Sequence, residues 1–170
     1  VAGLSAIQVA SLSSAATAAL TTSQVQALTT AQVRGLTSTQ LNSLTTAQVA
    51  SMETADVAAL SVTQVAGLST ANVAALSSTQ AQALSSAQVA SLTTTQIGAL
   101  ETADLSAMST AQLAGLSVTQ IGKLSTAQAA ALTTGQVVGL SAIQVASLSS
   151  AATAALTTSQ VQALTTAQVR

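Results

Sequence analysis

The residues best suited to chemistry in this sequence are four carboxylates that come as two matched pairs. Glu53 and Asp56 lie in METADVAA, and Glu101 and Asp104 lie in LETADLSA, 48 residues further along the chain. Carboxylate oxygens are the ligands that hard cations such as Ca²⁺ prefer. Whether the pairs form a cation site depends on the elements that position them.

Other reactive side chains are scarce. The chain has no His, Cys, Pro, Phe, Tyr or Trp, and its only basic residues are Arg34, Lys123 and Arg170. Its many Ser and Thr hydroxyls have no His beside them to activate a nucleophile. Three scattered basic residues cannot neutralise a run of phosphates, and bases have no aromatic ring on which to stack. We therefore expect no enzyme, no catalytic or cofactor-binding residue, no cofactor and no nucleic-acid partner.

The chain is a tandem repeat with a period of eight residues. Leu or Met recurs at every eighth position from Leu4 to Leu164, giving 21 octads with the consensus L-[ST]-x-x-Q-V-x-[AGS]. Residues 3–34 are also identical to residues 139–170, a super-repeat of 136 residues. We expect residues 1–170 to be a single continuous array, taken from a considerably longer protein.

Each octad carries the signals that begin an α-helix. With Ser or Thr as the N-cap, Gln falls at the third helical position and completes the capping box S/T-x-x-Q. The same register places Leu before the cap and Val at the fourth position, which is the hydrophobic staple. In the octad at Leu28, Thr29 would cap, Gln32 would close the box and Leu28 would pack on Val33. The pattern predicts one helix of about six residues per octad.

Helices this short are unstable alone, so we expect them to stack. The predicted fold is an all-α solenoid, with a β-solenoid as the alternative and with two or three octads per coil left open. Leu, Val and the two Met replacements, Met52 and Met108, would form the core. Position five would add an amide ladder between coils, position seven would face water, and small residues at position eight would let coils approach closely.

The solenoid also suggests a structural explanation for the acidic pairs. Their separation equals six octads, which returns to one face whether a coil holds two octads or three. Each pair is interpreted as a rewritten capping box, with Glu53 or Glu101 at the N-cap and acids favoured near a helix N-terminus. On that interpretation Asp56 and Asp104 bind no metal.

Octads such as LTTAQVRG, LSVTQVAG and LTTTQIGA resemble the tandem L-[ST]-[ST]-x-Q-[VI]-x-[AG] arrays of very large, secreted or adhesin-like proteins of Gram-negative bacteria. The resemblance covers the whole chain. It implies an extracellular or cell-surface location and a structural or adhesive role, and it implies no catalytic residue.

Together these features predict a stiff rod, stalk or extracellular fibre of a bacterial surface or secreted protein. The partners expected are further copies of the same repeat, stacked end to end. No membrane insertion is expected, because Ser, Thr or Gln interrupts every apolar stretch. The alternative function is a surface-binding module in which one solenoid face adheres to glycans or ice.

Overall fold

The computed structural model describes residues 3–170, which fold into a stack of very short α-helices, one per octad. Twenty octads form helices of four to six residues, and the last octad forms a turn. The residues that the structure describes contain no β-strand. The all-α solenoid is therefore confirmed, and the β-solenoid alternative is wrong.

In chain order the helices are α1 (Ala6–Ala10), α2 (Ser14–Ala18), α3 (Thr22–Gln26), α4 (Thr30–Gly35), α5 (Ser38–Ser43), α6 (Thr46–Ala50), α7 (Thr54–Ala59), α8 (Val62–Ala66), α9 (Thr70–Ala74), α10 (Ser78–Ala83), α11 (Ser86–Ala90), α12 (Thr94–Ala99), α13 (Thr102–Ala107), α14 (Thr110–Ala114), α15 (Val118–Ile121), α16 (Thr126–Ala131), α17 (Thr134–Gly139), α18 (Ala142–Ala146), α19 (Ser150–Ala154) and α20 (Thr158–Ala163).

The helices begin where the capping residues are. A Ser or Thr is the N-cap of every helix except α7 and α13, and its hydroxyl accepts a hydrogen bond from the third helical N–H, as Ser61 does from Gln64 at 3.1 Å. Wherever Gln occupies that third position, its side chain also accepts from the N-cap backbone N–H. The capping register predicted from the sequence is confirmed.

The helices end without any left-handed residue. Between α4 and α5 the chain passes through Leu36 (φ −67°, ψ 138°) and Thr37 (φ −76°, ψ 159°), which are both extended. No described residue has a positive φ. Two extended residues turn the chain from one helix into the next, so the repeat needs no Gly at its breaks.

Three octads make one coil, which decides between the two coil sizes. Helix contacts join each helix to the third helix before and after it, as in α1 with α4 and α4 with α7. The solenoid therefore has three faces. The first face carries α1, α4, α7, α10, α13, α16 and α19; the second carries α2, α5, α8, α11, α14, α17 and α20; the third carries α3, α6, α9, α12, α15 and α18.

The core runs along the axis of the stack and is built from octad positions one and six. Leu84, Val89 and their equivalents in the interior of the stack are buried, and so are Met52 and Met108, as predicted. Position seven faces solvent, as predicted for its longer polar members Gln26, Arg34, Asn42, Gln82 and Gln162. Leu and Val are removed from water only when coils stack, so the hydrophobic effect acts between octads rather than within one.

Duplicated sequence occupies different faces of the solenoid. The super-repeat of 17 octads is not a multiple of three octads. As a result α1 lies on the first face, whereas the identical segment α18 lies on the third. The same octad sequence can therefore form more than one face of the solenoid.

Small side chains at octad position eight meet the coil below, as predicted. Ser51 Oγ donates to Thr22 O at 3.3 Å, and a Cβ added at Gly67 would lie 2.5 Å from Ser38 Oγ. Lys123 is the large residue at this position, and it is exposed. Its helix, α15, is the shortest in the stack.

Gly122, beside Lys123, lies so close to the backbone of the next coil that a side chain would not fit there. A Cβ there would lie 2.8 Å from the backbone oxygen of Ser147, whereas a Cβ at Gly98, also at position seven on the third face, would meet nothing within 4 Å. We expect Gly122→Ala to lower the free energy of unfolding by about 1–3 kcal/mol through overpacking. Gly98→Ala should raise it by about 0.5–1 kcal/mol, because alanine favours the helix. Urea denaturation of both variants tests the pair, and a Gly122→Ala protein as stable as the parent would contradict the packing.

Candidate functional site

Each buried glutamine at position five joins two helices. Gln64 Oε1 accepts from the N–H of its own N-cap, Ser61, at 2.7 Å. Its Nε2 donates to three carbonyl oxygens of the coil below: Val33 at 3.0 Å, Arg34 at 3.3 Å and Leu36 at 2.7 Å. Those carbonyls belong to the last turn and exit of α4, where a helix has no partners of its own for its C=O groups. One amide therefore caps the start of one helix and the end of another.

The same bonding recurs along the stack and forms the predicted amide ladder. The glutamines whose Nε2 reaches two or three carbonyls of the coil below are Gln40, Gln48, Gln64, Gln80, Gln88, Gln96, Gln112, Gln120, Gln128, Gln136, Gln144, Gln160 and Gln168. All but Gln168 are buried. Asn72 has a side chain shorter by one methylene and reaches a single carbonyl, Leu41 O, at 2.9 Å.

Position seven adds a second set of bonds from the solvent side. Asn42 donates to Gly67 O at 2.7 Å and accepts from Ser69 N at 2.7 Å, while Arg34 Nε donates to Ala59 O at 3.1 Å. These side chains lie on the outside and hold the coil above. Arg34 also borders a shallow open groove that runs past Leu60 and Val62.

The two acidic pairs lie on the first face, two coils apart. They occupy α7 and α13, with α10 between them, as their spacing predicted. The interpretation of each pair as a rewritten capping box is correct only in part: Glu53 and Glu101 are the N-cap residues and Asp56 and Asp104 lie in the first turn, but neither Glu makes a side-chain cap hydrogen bond. The longer Glu side chain does not replace the short hydroxyl that bonds the third N–H. Glu53 instead accepts from Gln26 Nε2 at 3.0 Å.

Asp56 and Asp104 take the ladder position and are buried, with exposed fractions of 4% and 2%. Asp104 Oδ1 accepts from Ser78 Oγ at 2.9 Å, whereas Oδ2 is buried with no hydrogen-bond partner. Burial raises the pKa of Asp104 above its ordinary value of 3.8; Glu101 raises it further, and hydrogen bonds from Ser78 and the Glu101 backbone act in the opposite direction. The pKa of Asp56 is also raised, first by burial and then by the charge of Glu53.

On the first face, every second coil above α4 lacks the amide. From α4 to α19 the ladder residues are Gln32, Asp56, Gln80, Asp104, Gln128 and Ala152. Carboxylates therefore replace donors at two positions where backbone oxygens from the coil below converge. Within residues 3–170 no three Asp, Glu, His or Cys side chains come together as a metal cluster. No helix in that range is long and apolar enough to span a bilayer.

The fold defines a class: a helical solenoid of three capped octads per coil, held together by side-chain amides. The model of the ALTTAQ repeat matches residues 25–52, 49–86 and 97–134, which together cover more than half of the chain. The chain belongs to the ALTTAQ repeat family. No curated protein and no solved structure matches it.

The ladder predicts that equal substitutions have unequal costs. Gln80→Ala removes a cap bond and the donor to Val49, Ala50 and Met52, leaving buried carbonyls unpaired, so we expect a loss of about 2–4 kcal/mol in the free energy of unfolding. The matched control is Gln24→Ala, because Gln24 is exposed and makes only the cap bonds with Thr21. Its cost should be about 0.5–1 kcal/mol. Equal costs in chemical denaturation would contradict the inter-coil role.

The buried carboxylates predict an unusual dependence of stability on pH. The folded-state pKa of Asp104 and of Asp56 is raised, so the folded chain binds protons more tightly than the unfolded chain. Their favourable contribution is therefore full below the ordinary pKa of 3.8 and is lost as pH rises through the raised values. In EDTA we expect the melting temperature to fall on going from about pH 4 to pH 7. Asp56→Asn/Asp104→Asn should flatten the profile, and an unchanged slope in that variant would contradict the assignment.

Proposed function

We propose that this chain is a rod-forming section of a larger extracellular protein, in which the solenoid acts as a stiff spacer. The observation that carries the proposal is the amide ladder, which links successive coils on all three faces. Gln80 does so on the first face, Gln64 on the second and Gln96 on the third. Bending toward any side would break buried hydrogen bonds on the opposite side.

The ends of the stack favour further coils of the same kind. Val161 and Val169 occupy the core position of the last octads and are exposed by 50% and 63%. At the other end Gln24 makes no bond from its Nε2 among the described residues. Another coil of the same repeat, in the same chain or in a second copy, would cover the valines and pair the amide. End-to-end continuation is accordingly part of the proposal.

A surface or secreted location fits this role. It rests on the resemblance of the octads to arrays in large adhesin-like bacterial proteins. The surface itself is nearly uncharged, with exposed Ser, Thr and Ala on every face. A surface that presents few specific groups fits a spacer better than it fits a binding module. We propose no catalytic role.

Solution scattering provides the test of the rod. Seven coils at a helix spacing of about 8–10 Å give a length of about 55–70 Å and a radius of gyration of about 20 Å, against about 15 Å for a compact domain of this size. Residues 35–138 can be appended after Arg170 in register, because residues 139–170 repeat residues 3–34. The added 13 octads should lengthen the rod by about 60% at constant cross-section.

The outcomes separate the spacer from the adhesive alternative. A compact particle, or a cross-section that grows with added octads, would contradict the rod. Saturable binding to immobilised glycans, or a depressed freezing point without melting-point change, would favour a surface-binding module instead. The extended chain is a useful second sample, since a binding face would gain avidity with length while a spacer would gain only length.

A further inference from the structure

On the first face, two ladder positions carry a carboxylate, which can only accept, in place of an amide that donates. At most other ladder positions a buried amide group donates to the carbonyls at the end of a helix in the coil below. By the register of Gln80 and Gln128, the carbonyls that a Gln at position 104 would reach are Val73 O, Ala74 O and Leu76 O. A carboxylate has no proton to donate to them. Oxygen therefore faces oxygen in a buried place.

Asp104 has a shorter reach toward the coil below than a ladder Gln. Asn72 has the length of an Asp side chain, and at the equivalent position it contacts only one of the three carbonyls that a Gln reaches. Asp104 is shorter than Gln by the same methylene. Its Oδ2 is buried and has no partner, while Oδ1 is fixed by Ser78. A buried carboxylate oxygen without a partner costs free energy unless a positively charged group binds it.

The surrounding groups are those of a hard-cation site. Helix α9 ends at Ala74, and the carbonyl end of a helix carries partial negative charge. Glu101 is exposed, makes no cap hydrogen bond, and lies one helical turn before Asp104, at the N-cap of the same helix. Two carboxylates would balance a divalent charge, and backbone carbonyls are common Ca²⁺ ligands.

We propose that Asp104 and Glu101, with the carbonyl oxygens of Val73 and Leu76 in the coil below, form a Ca²⁺ site that replaces the amide link between these coils. The ion takes the place of the Gln Nε2 group. The equivalent pair at α7 differs, because Gln26 already holds Glu53. With few protein ligands, affinity in the range of about 10⁻⁴–10⁻³ M is expected, as in extracellular Ca²⁺ modules.

The experiment uses the whole chain at pH 7 and measures the melting temperature in EDTA, in CaCl₂ and in MgCl₂ at equal ionic strength. Saturating Ca²⁺ should raise the melting temperature by about 5–10 °C, and Mg²⁺ should raise it much less, because Mg²⁺ demands a tighter octahedron. Calorimetric titration with CaCl₂ should give a saturable heat.

Asp104→Asn is the decisive variant. Asn at this position already folds in the array at Asn72, so the variant should fold and should be more stable than the parent in EDTA. It should lose the Ca²⁺-induced shift. Gln128→Asn is the matched control: it shortens the ladder residue three octads further on, carries no carboxylate and should keep the full shift.

Three results would overturn the site. One is a parent chain whose melting temperature is the same in CaCl₂ and EDTA, which would indicate that Asp104 binds a proton rather than Ca²⁺. Another is an equal response to MgCl₂, which would indicate ionic screening. The third is an Asp104→Asn variant that keeps the shift. The rod proposal survives each of these results, because scattering measures the stack independently of the ion.

Discussion

The structure depends on one side chain doing two things at once. A Gln at position five caps its own helix with Oε1 and closes the end of a helix in the coil below with Nε2, as Gln64 does. Helices of four to six residues leave a large share of their backbone groups unpaired. The buried amide supplies both kinds of partner, so forming a helix and stacking a coil become a single event. This coupling makes a fold of very short helices stable.

The exceptions to the ladder carry the chemical information. Asn72 keeps the donor with a shorter reach, and Ala152 removes it without adding charge. Asp56 and Asp104 invert it, and both lie on the first face with a Gln coil between them. The regular solenoid thus contains two buried carboxylates whose effect on stability depends on which positive group binds them. A cation at those positions would link rod stability to the surrounding solution.

Much of this architecture was accessible from the sequence. The capping box at Ser61, the burial of Leu84 and Val89, the outward position of Gln82 and the amide ladder follow from local rules and from an unbroken period of eight. The acidic octads were predicted only in part, because a capping rule written for short hydroxyls was extended to Glu53 and Glu101. The Glu side chain is longer than that of Ser or Thr, and only the folded structure shows that it does not bond the third helical N–H.

The sequence by itself determined where every helix begins, which two positions of each octad enter the core, and that the chain must stack. Those properties depend on neighbours within a few residues. The tertiary structure decided that three octads close a coil, because helices three octads apart in the chain, such as α4 and α7, pack against each other. It also decided that Asp104 lies buried with an unpaired oxygen, since its surroundings come from a coil below rather than from its own octad.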